Sequence, residues 1–213
     1  MTVEAEKRLA LVASLADFFK GHPDVDRFPM LATLGDLLRA VEDDSDLSPI
    51  EASSLPVVKL LNSLTIDSES FGVEPILRAL VEASPTLVWI QTRAYAESFS
   101  RNYLDHYGYV RVLGPGGLVE SSVAAAGLGL WGPGLTYPRH AHPAEEYYHV
   151  LHGSALFQRG NGTWEPKNVG DSVHHSPWER HAQRFGDDVC VLLYAWTGEV
   201  TVDARLVTEE SES

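Results

Sequence analysis

Hydrophobic residues recur at helical spacing through roughly the first ninety positions of the chain. Stripes with apolar residues three and four positions apart run over 34–41, 57–64 and 76–81. Each stripe would form one apolar helix face. Ser-Pro-Ile-Glu at 48–51 has the form of a capping box with proline at the first helical position, which predicts the start of a helix. With the amphipathic N-terminal stretch, we expect four or five helices.

From about Tyr107 onward the pattern changes to short apolar runs separated by glycine-containing turns. These runs are YGYVRVLG, LVESSVAAAGLGLWG, EEYYHVLHG, SALFQRGNG, DSVHHS, RHAQRFG, DVCVLLYAW and VTVDARLV. The sequence RGNG at 159–162 is typical of a hairpin turn. Short strands at this spacing predict an antiparallel sandwich or barrel, so we expect a mainly β fold preceded by helices.

The change of period divides the chain into three parts. Residues 1–95 are expected to form a helical segment packed on a barrel, and residues 96–207 the barrel itself. The acidic tail at 208–213 is expected to fray. The helical segment contains no cluster of ligand-type residues, so we interpret it as a buttress, with a lid or a dimer surface as the alternative. Monomer and homodimer both remain open.

The 213-residue chain carries a formal net charge of −14. This charge argues against binding of nucleic acid or of an anionic membrane through a general electrostatic field, whereas a small zwitterion remains compatible. No apolar run approaches the roughly 20 residues that span a bilayer, and the N-terminus lacks the layout of a signal peptide. The single cysteine, Cys190, fits a reducing compartment, so we expect a cytoplasmic protein.

Histidine, glutamate and tyrosine residues are concentrated between Gly134 and Gly153, in GLTYPRHAHPAEEYYHVLHG. Alternate residues of an extended strand face the same side. The even-numbered positions could therefore aim two imidazoles, one carboxylate and one phenol at a common point: His140, His142, Glu146 and Tyr148. Imidazole and carboxylate are the usual protein ligands of a divalent transition metal, and a phenol beside them is a candidate acid or base.

The spacing of these residues and of the two glycines resembles the first motif of the cupin family, small β-barrels that hold a metal in the barrel mouth. A looser second motif follows, with Gly170-Asp171, Pro177 and then His181 where the family places its last metal ligand. Ser and Trp replace the usual proline and glycine at positions 176 and 178. That departure leaves His174 and His175 as alternatives, but the spacing favours His181.

Within the cupins, the chain is similar to the dimethylsulfoniopropionate lyases of the DddQ type. The similarity rests on YPRHAHPAEEYYHVLHG, on GDSVHHSPWERHA and on a helical segment preceding one barrel. It implies one divalent ion such as zinc, iron or manganese, and the following roles: His142, Glu146 and His181 as metal ligands, Tyr148 as a base that can also approach the metal, Tyr137 and His140 as further pocket residues, and Trp196 near the substrate. His140 remains open between metal ligand and outer support.

The substrate of that family is a zwitterion with a sulfonium at one end and a carboxylate at the other. Its β-elimination to dimethyl sulfide and acrylate needs a base, because the carbon next to the carboxylate must lose a proton. A free tyrosine has a pKa near 10, and lowering it by about three units corresponds to roughly 4 kcal/mol, which a nearby cation can supply. An aromatic face suits the sulfonium, and Tyr137, Trp178 and Trp196 are the candidates.

Two other functions fit the same residues. One is a different cupin metalloenzyme, such as an iron-dependent dioxygenase, because imidazole and carboxylate suit several transition metals. The other is a non-enzymatic cupin that binds a small ligand. The phenol among the predicted ligands argues against the second, since a pure binding module needs no base.

Overall fold

In the computed structural model, the described residues are 1–92 and 97–207. The helices are α1 Val3–Gly21, α2 Pro29–Arg39, α3 Val73–Ala83 and α4 Arg101–Asp105, with short 3-10 segments at Asp44–Asp46, Pro56–Ser63 and Ser84–Thr86. The strands are β1 Trp89–Ile90, β2 Tyr107–Leu113, β3 Ala124–Trp131, β4 Thr136–Ala141, β5 Glu145–His152, β6 Ser154–Arg159, β7 Trp164–Asn168, β8 Ser172–His175, β9 His181–Phe185, β10 Cys190–Thr197 and β11 Arg205–Leu206. The predicted boundary at 95/96 and the predicted tail at 208–213 lie outside the described residues.

The strands form two antiparallel sheets that close on each other as a small barrel. One sheet has the order β1-β2-β3-β10-β5-β8, and the other has the order β11-β4-β9-β6-β7. Side chains from both sheets share one interior cluster, which includes Tyr148 of β5, Phe157 of β6 and Phe185 of β9. The prediction of a mainly β barrel preceded by helices is confirmed.

The helices cover the outer face of the six-stranded sheet. Their apolar residues, such as Leu11, Leu34 and Leu77, pack in a second cluster with residues of the strands, such as Leu128 and Leu193. α1 begins where the Thr2 hydroxyl accepts a hydrogen bond from the Ala5 amide, and α2 begins with a proline at its first position. None of the described helices is long and apolar enough to cross a membrane.

The prediction that a helix begins at 48–51 is wrong. The Ser48 amide donates to the Leu118 carbonyl oxygen at 2.8 Å, and Ser53 forms a parallel bridge with Val88. These long-range main-chain bonds hold the segment extended beside the sheet, so the local capping pattern has no helix to cap. β7 was also not predicted, because it lies at the edge of its sheet and exposes polar residues and a proline.

β3 carries very small residues on the face that points into the barrel. A Cβ atom at Gly127 would collide with the Val110 carbonyl oxygen and the Tyr194 hydroxyl, and one at Gly129 would collide with the Trp131 ring. The rings of Tyr194 and Trp131 therefore lie directly on the main chain of β3. The stripe therefore leaves room for these two aromatic rings against the strand.

Trp178 lies in the turn between β8 and β9 and has a left-handed backbone, with φ of 61°. Its amide donates to the His142 carbonyl oxygen at 2.7 Å, which ties the turn to the segment between β4 and β5. The side chain is 53% exposed, so packing compensates little of the backbone cost. This is the position at which the cupin motif usually has glycine, a residue that adopts this conformation freely.

We expect Trp178→Gly to be more stable than Trp178→Ala by about 1 kcal/mol, because only glycine takes the left-handed backbone without a steric cost. Both variants remove the same indole ring, so their difference isolates the backbone contribution. Urea unfolding of the two variants measures it. Equal free energies of unfolding would show that the turn carries no backbone strain.

Candidate metal centre

Three histidines meet inside the barrel, close to where β4 ends and β9 begins. His140 lies on β4 opposite His181 on β9, and His142 follows directly after β4. One ring nitrogen of each lies within 4.8 Å of those of the other two. All three side chains are buried. Two of them were predicted as metal ligands, and His140 had been left open between ligand and support.

The three imidazole rings are oriented by the main chain in the same way. Each Nδ1 lies at hydrogen-bond distance from a backbone carbonyl oxygen: His140 at 2.8 Å from Pro138, His142 at 3.0 Å from Ala144 and His181 at 2.8 Å from Glu179. Because a carbonyl only accepts, each Nδ1 carries the proton. In a neutral ring the Nε2 then keeps a lone pair, which is the usual arrangement of histidines that bind a metal.

Glu146 faces two of these rings. Its Oε2 lies 3.0 Å from Nε2 of His142 and 3.0 Å from Nε2 of His181. Burial alone would raise the pKa of this carboxyl, but His142 and His181 outweigh burial and hold it well below its usual range. The carboxylate is therefore ionised although it is only 1% exposed.

This arrangement fits a divalent cation. The attraction that keeps Glu146 ionised requires a proton or a positive charge beside its oxygen, and a divalent cation bound to the two nitrogen lone pairs supplies that charge in place of protons. The 3.0 Å separations between this oxygen and the two nitrogens are what adjacent ligand atoms show when each lies about 2.1 Å from one ion. Burial, and then the neighbouring His181, hold the pKa of His140 well below its usual range, so that ring is also neutral and can bind.

The structure brings His181, rather than His174 or His175, into the imidazole cluster. The ring of His175 stacks on that of His181, with centroids 4.0 Å apart and planes inclined by 13°. His174 points away, since its Nε2 lies 2.7 Å from Glu145 and its ring stacks on Phe28. The two alternative ligands therefore lie beside and outside the cluster.

Tyr148 follows Glu146 by two residues on β5, and both line one pocket in the barrel. Its buried ring lies 6.4 Å from that of His181, centroid to centroid. On the other face of the strand, the Tyr147 hydroxyl donates to Asp24 at 3.2 Å, among the helices. The strand thus separates a phenol of the site from a phenol of the helical core.

Trp196 and Tyr137 border the cluster. Trp196 donates from Nε1 to Oε1 of Glu146 at 2.6 Å, and its ring stacks on His142 at 4.2 Å. Tyr137 stacks on His140 at 4.0 Å. Both line the pocket, whereas the exposed Trp178 is absent from the described lining. Trp196 therefore holds the carboxylate in place as well as facing the pocket.

The expectation that one strand carries the even-numbered residues is wrong in one respect. His140 lies on β4 and Glu146 on β5, and these strands belong to different sheets. The chain crosses between the sheets at 142–144, and the side chains still converge because both strands present these positions to the barrel interior.

The far wall of the pocket was not predicted. It comes from β2, β3 and β10, and consists of Tyr107, Tyr109, Arg111, Trp131 and Tyr194. The alternation YGYVR on β2 and the small residues of β3 were the available signals. They become interpretable only once the sheet order places β2 and β3 beside β10.

The model of the dimethylsulfoniopropionate lyase family matches residues 30–192. The dimethylsulfoniopropionate lyase DddQ of Ruegeria pomeroyi is 28% identical over 173 residues, which cover 81% of this chain and 85% of the relative. Its crystal structure matches with a TM-score of 0.72 at 28% identity, over 93% of this chain and 96% of that one. A chain from the crystal structures of the DMSP lyases RdDddP and RnDddQII matches with a TM-score of 0.77 at 27% identity, over 95% of this chain and 98% of that one. The chain belongs to the dimethylsulfoniopropionate lyase family.

Proposed function

We propose that this protein cleaves dimethylsulfoniopropionate by β-elimination to dimethyl sulfide and acrylate, with Tyr148 as the base. The observation that carries the proposal is the pocket itself. Tyr148 and Glu146 of β5 line one cavity whose other walls are mostly aromatic, and the same carboxylate lies 3.0 Å from the clustered imidazoles of His142 and His181. Membership of the lyase family supplies the substrate, and the site supplies the groups that its chemistry needs.

One divalent transition ion completes the proposed site. His140, His142, His181 and Glu146 would hold it, since they offer three neutral nitrogens and one ionised oxygen. When bound, such an ion supplies Lewis-acid stabilisation for the negative charge that develops on the substrate carboxylate. Zinc, iron and manganese all suit these ligands. This proposal assigns His140 to the ligands and leaves Tyr148 free to act as the base.

The protein's own groups divide the rest of the work. Tyr148 takes the proton from the carbon next to the carboxylate, and the released electron pair forms the double bond of acrylate. The electrons of the carbon–sulfur bond leave with sulfur, so dimethyl sulfide departs neutral and needs no general acid. The aromatic walls attract the sulfonium through their ring faces and restrict water. We further propose a cytoplasmic protein that acts on this small zwitterion.

We expect the purified protein to release dimethyl sulfide from dimethylsulfoniopropionate without consuming oxygen. Headspace gas chromatography and an oxygen electrode measure the two quantities together, and related carboxylates and sulfonium compounds serve as comparison substrates. Oxygen uptake without dimethyl sulfide would contradict the lyase and favour the dioxygenase.

Replacing Tyr148 by Phe should lower turnover by about 100- to 10,000-fold, the usual contribution of a positioned base, while metal content stays unchanged. Tyr147→Phe is the matched control, because it removes a hydroxyl from the neighbouring residue on the opposite face of β5. Full dimethyl sulfide release by Tyr148→Phe would eliminate this residue as the base.

His142→Ala, His181→Ala and Glu146→Ala should each lower metal affinity by at least about tenfold, as expected when one ligand of a small set is lost. His140→Ala tests the proposed fourth ligand in the same way. Mass spectrometry of metals in the purified variants gives occupancy directly. His174→Ala is the control, since that ring pairs with Glu145 outside the cluster and should retain the ion. Wild-type occupancy in a cluster variant would remove that residue from the ligand set.

A further inference from the structure

Arg111 brings a positive charge to the wall of the pocket. It lies on β2 in alternation with Tyr107 and Tyr109, and all three side chains line the cavity. The side chain is half-buried. The lining contains three charged residues among those described, and the other two are Glu146 in the imidazole cluster and Asp203.

The guanidinium is held by a main-chain carbonyl and lies beside two phenols. Its Nη1 donates to the Pro115 carbonyl oxygen at 2.6 Å, and the phenols of Tyr109 and Tyr194 lie beside it. Its Nε is buried and has no hydrogen-bond partner within the described part of the chain. No carboxylate of the described residues forms an ion pair with it at 4.0 Å or less, and Asp203 acts on it only from a longer distance. The protein therefore keeps at the pocket wall a cation that none of the described carboxylates contacts directly.

The proposed function places the positive end of the substrate toward this cation. If the carboxylate lies at the cluster and the adjacent carbon at Tyr148, the sulfonium extends toward the remaining walls. Tyr194 marks the direction, since it lies beside Tyr148 on the neighbouring strand and its hydroxyl lies over Gly127, next to β2. The rings of Tyr194 and Tyr109 meet there with their planes inclined by 84°, and both lie beside Arg111.

A cation beside a sulfonium weakens binding of the substrate. During elimination, however, the pair of electrons in the carbon–sulfur bond passes to sulfur, and the sulfonium becomes neutral dimethyl sulfide. The repulsion therefore decreases on the way to the transition state, and only such a difference accelerates a chemical step. Asp203 has the opposite sign, but its side chain is exposed, so solvent screens it more strongly.

We propose that Arg111 is a catalytic residue for carbon–sulfur cleavage, acting by repulsion of the substrate's sulfonium. This inference rests on the proposed function. It concerns the charge of the leaving group and not its shape, so two ligands of equal shape and different charge can test it.

The test is calorimetric binding of two carboxylates to the metal-loaded protein. One is β-trimethylammonio-propanoate, and the other is its isostere in which a tert-butyl group replaces the trimethylammonium group. Arg111→Met should raise the affinity for the ammonium ligand, relative to that for the tert-butyl ligand, by about five- to tenfold, because the repulsion between the guanidinium and the ammonium group is removed. Arg111→Lys keeps the charge and should preserve the wild-type ratio. Asp203→Asn should shift the ratio in the opposite direction, by a smaller factor.

Kinetics with dimethylsulfoniopropionate provide the second measurement. Arg111→Met should lower both kcat and KM, because it stabilises the bound substrate more than the transition state. An unchanged ligand ratio in Arg111→Met would overturn the proposal. So would equal weakening of both ligands with a raised KM, which would instead identify Arg111 as a carboxylate anchor.

Arg111→Gln can still donate to the Pro115 carbonyl oxygen, so it replaces the Met variant if thermal melting shows that the latter unfolds early. Wild-type protein that releases no dimethyl sulfide would refute the proposed function itself. Wild-type activity combined with an unchanged ratio in both uncharged variants would refute only the role of Arg111.

Discussion

The site depends on one buried carboxylate that stays ionised in the interior of the barrel because two imidazoles face it. Glu146 is almost fully buried, and its oxygen lies 3.0 Å from two imidazole nitrogens. Main-chain carbonyls accept from the outer nitrogen of both rings, so the inner nitrogens stay turned toward the carboxylate. The barrel thus holds two nitrogens and one ionised oxygen at a common point, an arrangement that suits a divalent ion.

β5 connects this site to the rest of the protein through its two faces. Tyr147 is packed against helical residues, whereas Glu146 and Tyr148 face the pocket. Since successive residues of a strand face opposite sides, any shift in the register of β5 would remove the carboxylate and the phenol from the pocket together. The helices that cover this sheet therefore help to position Glu146 and Tyr148, even though they contribute no residue to the described lining.

Much of this arrangement could be predicted from the sequence, and the remainder shows where local patterns fail. The glycine and histidine spacing predicted that His142, Glu146 and His181 belong to one site, and the structure places these three side chains together. Helical periodicity located α2 and α3, since their apolar faces are buried. The capping pattern at 48–51 gave a wrong prediction of a helix, because the main chain of this segment pairs with distant residues. Arg111 and the aromatic wall were missed because the order β2-β3-β10-β5 arises from long-range pairing, which periodicity does not encode.

The glycine stripe of β3 has a consequence for how the pocket can change. At Gly127 and Gly129 the rings of Tyr194 and Trp131 rest on bare main chain, and both rings line the pocket. A larger residue at either glycine would collide with the ring above it and push that ring into the cavity. A change in the size of the ligand must therefore come from the rings themselves. The pocket is free to vary in the side chains of its walls, while the backbone behind these two rings fixes how far back they can lie.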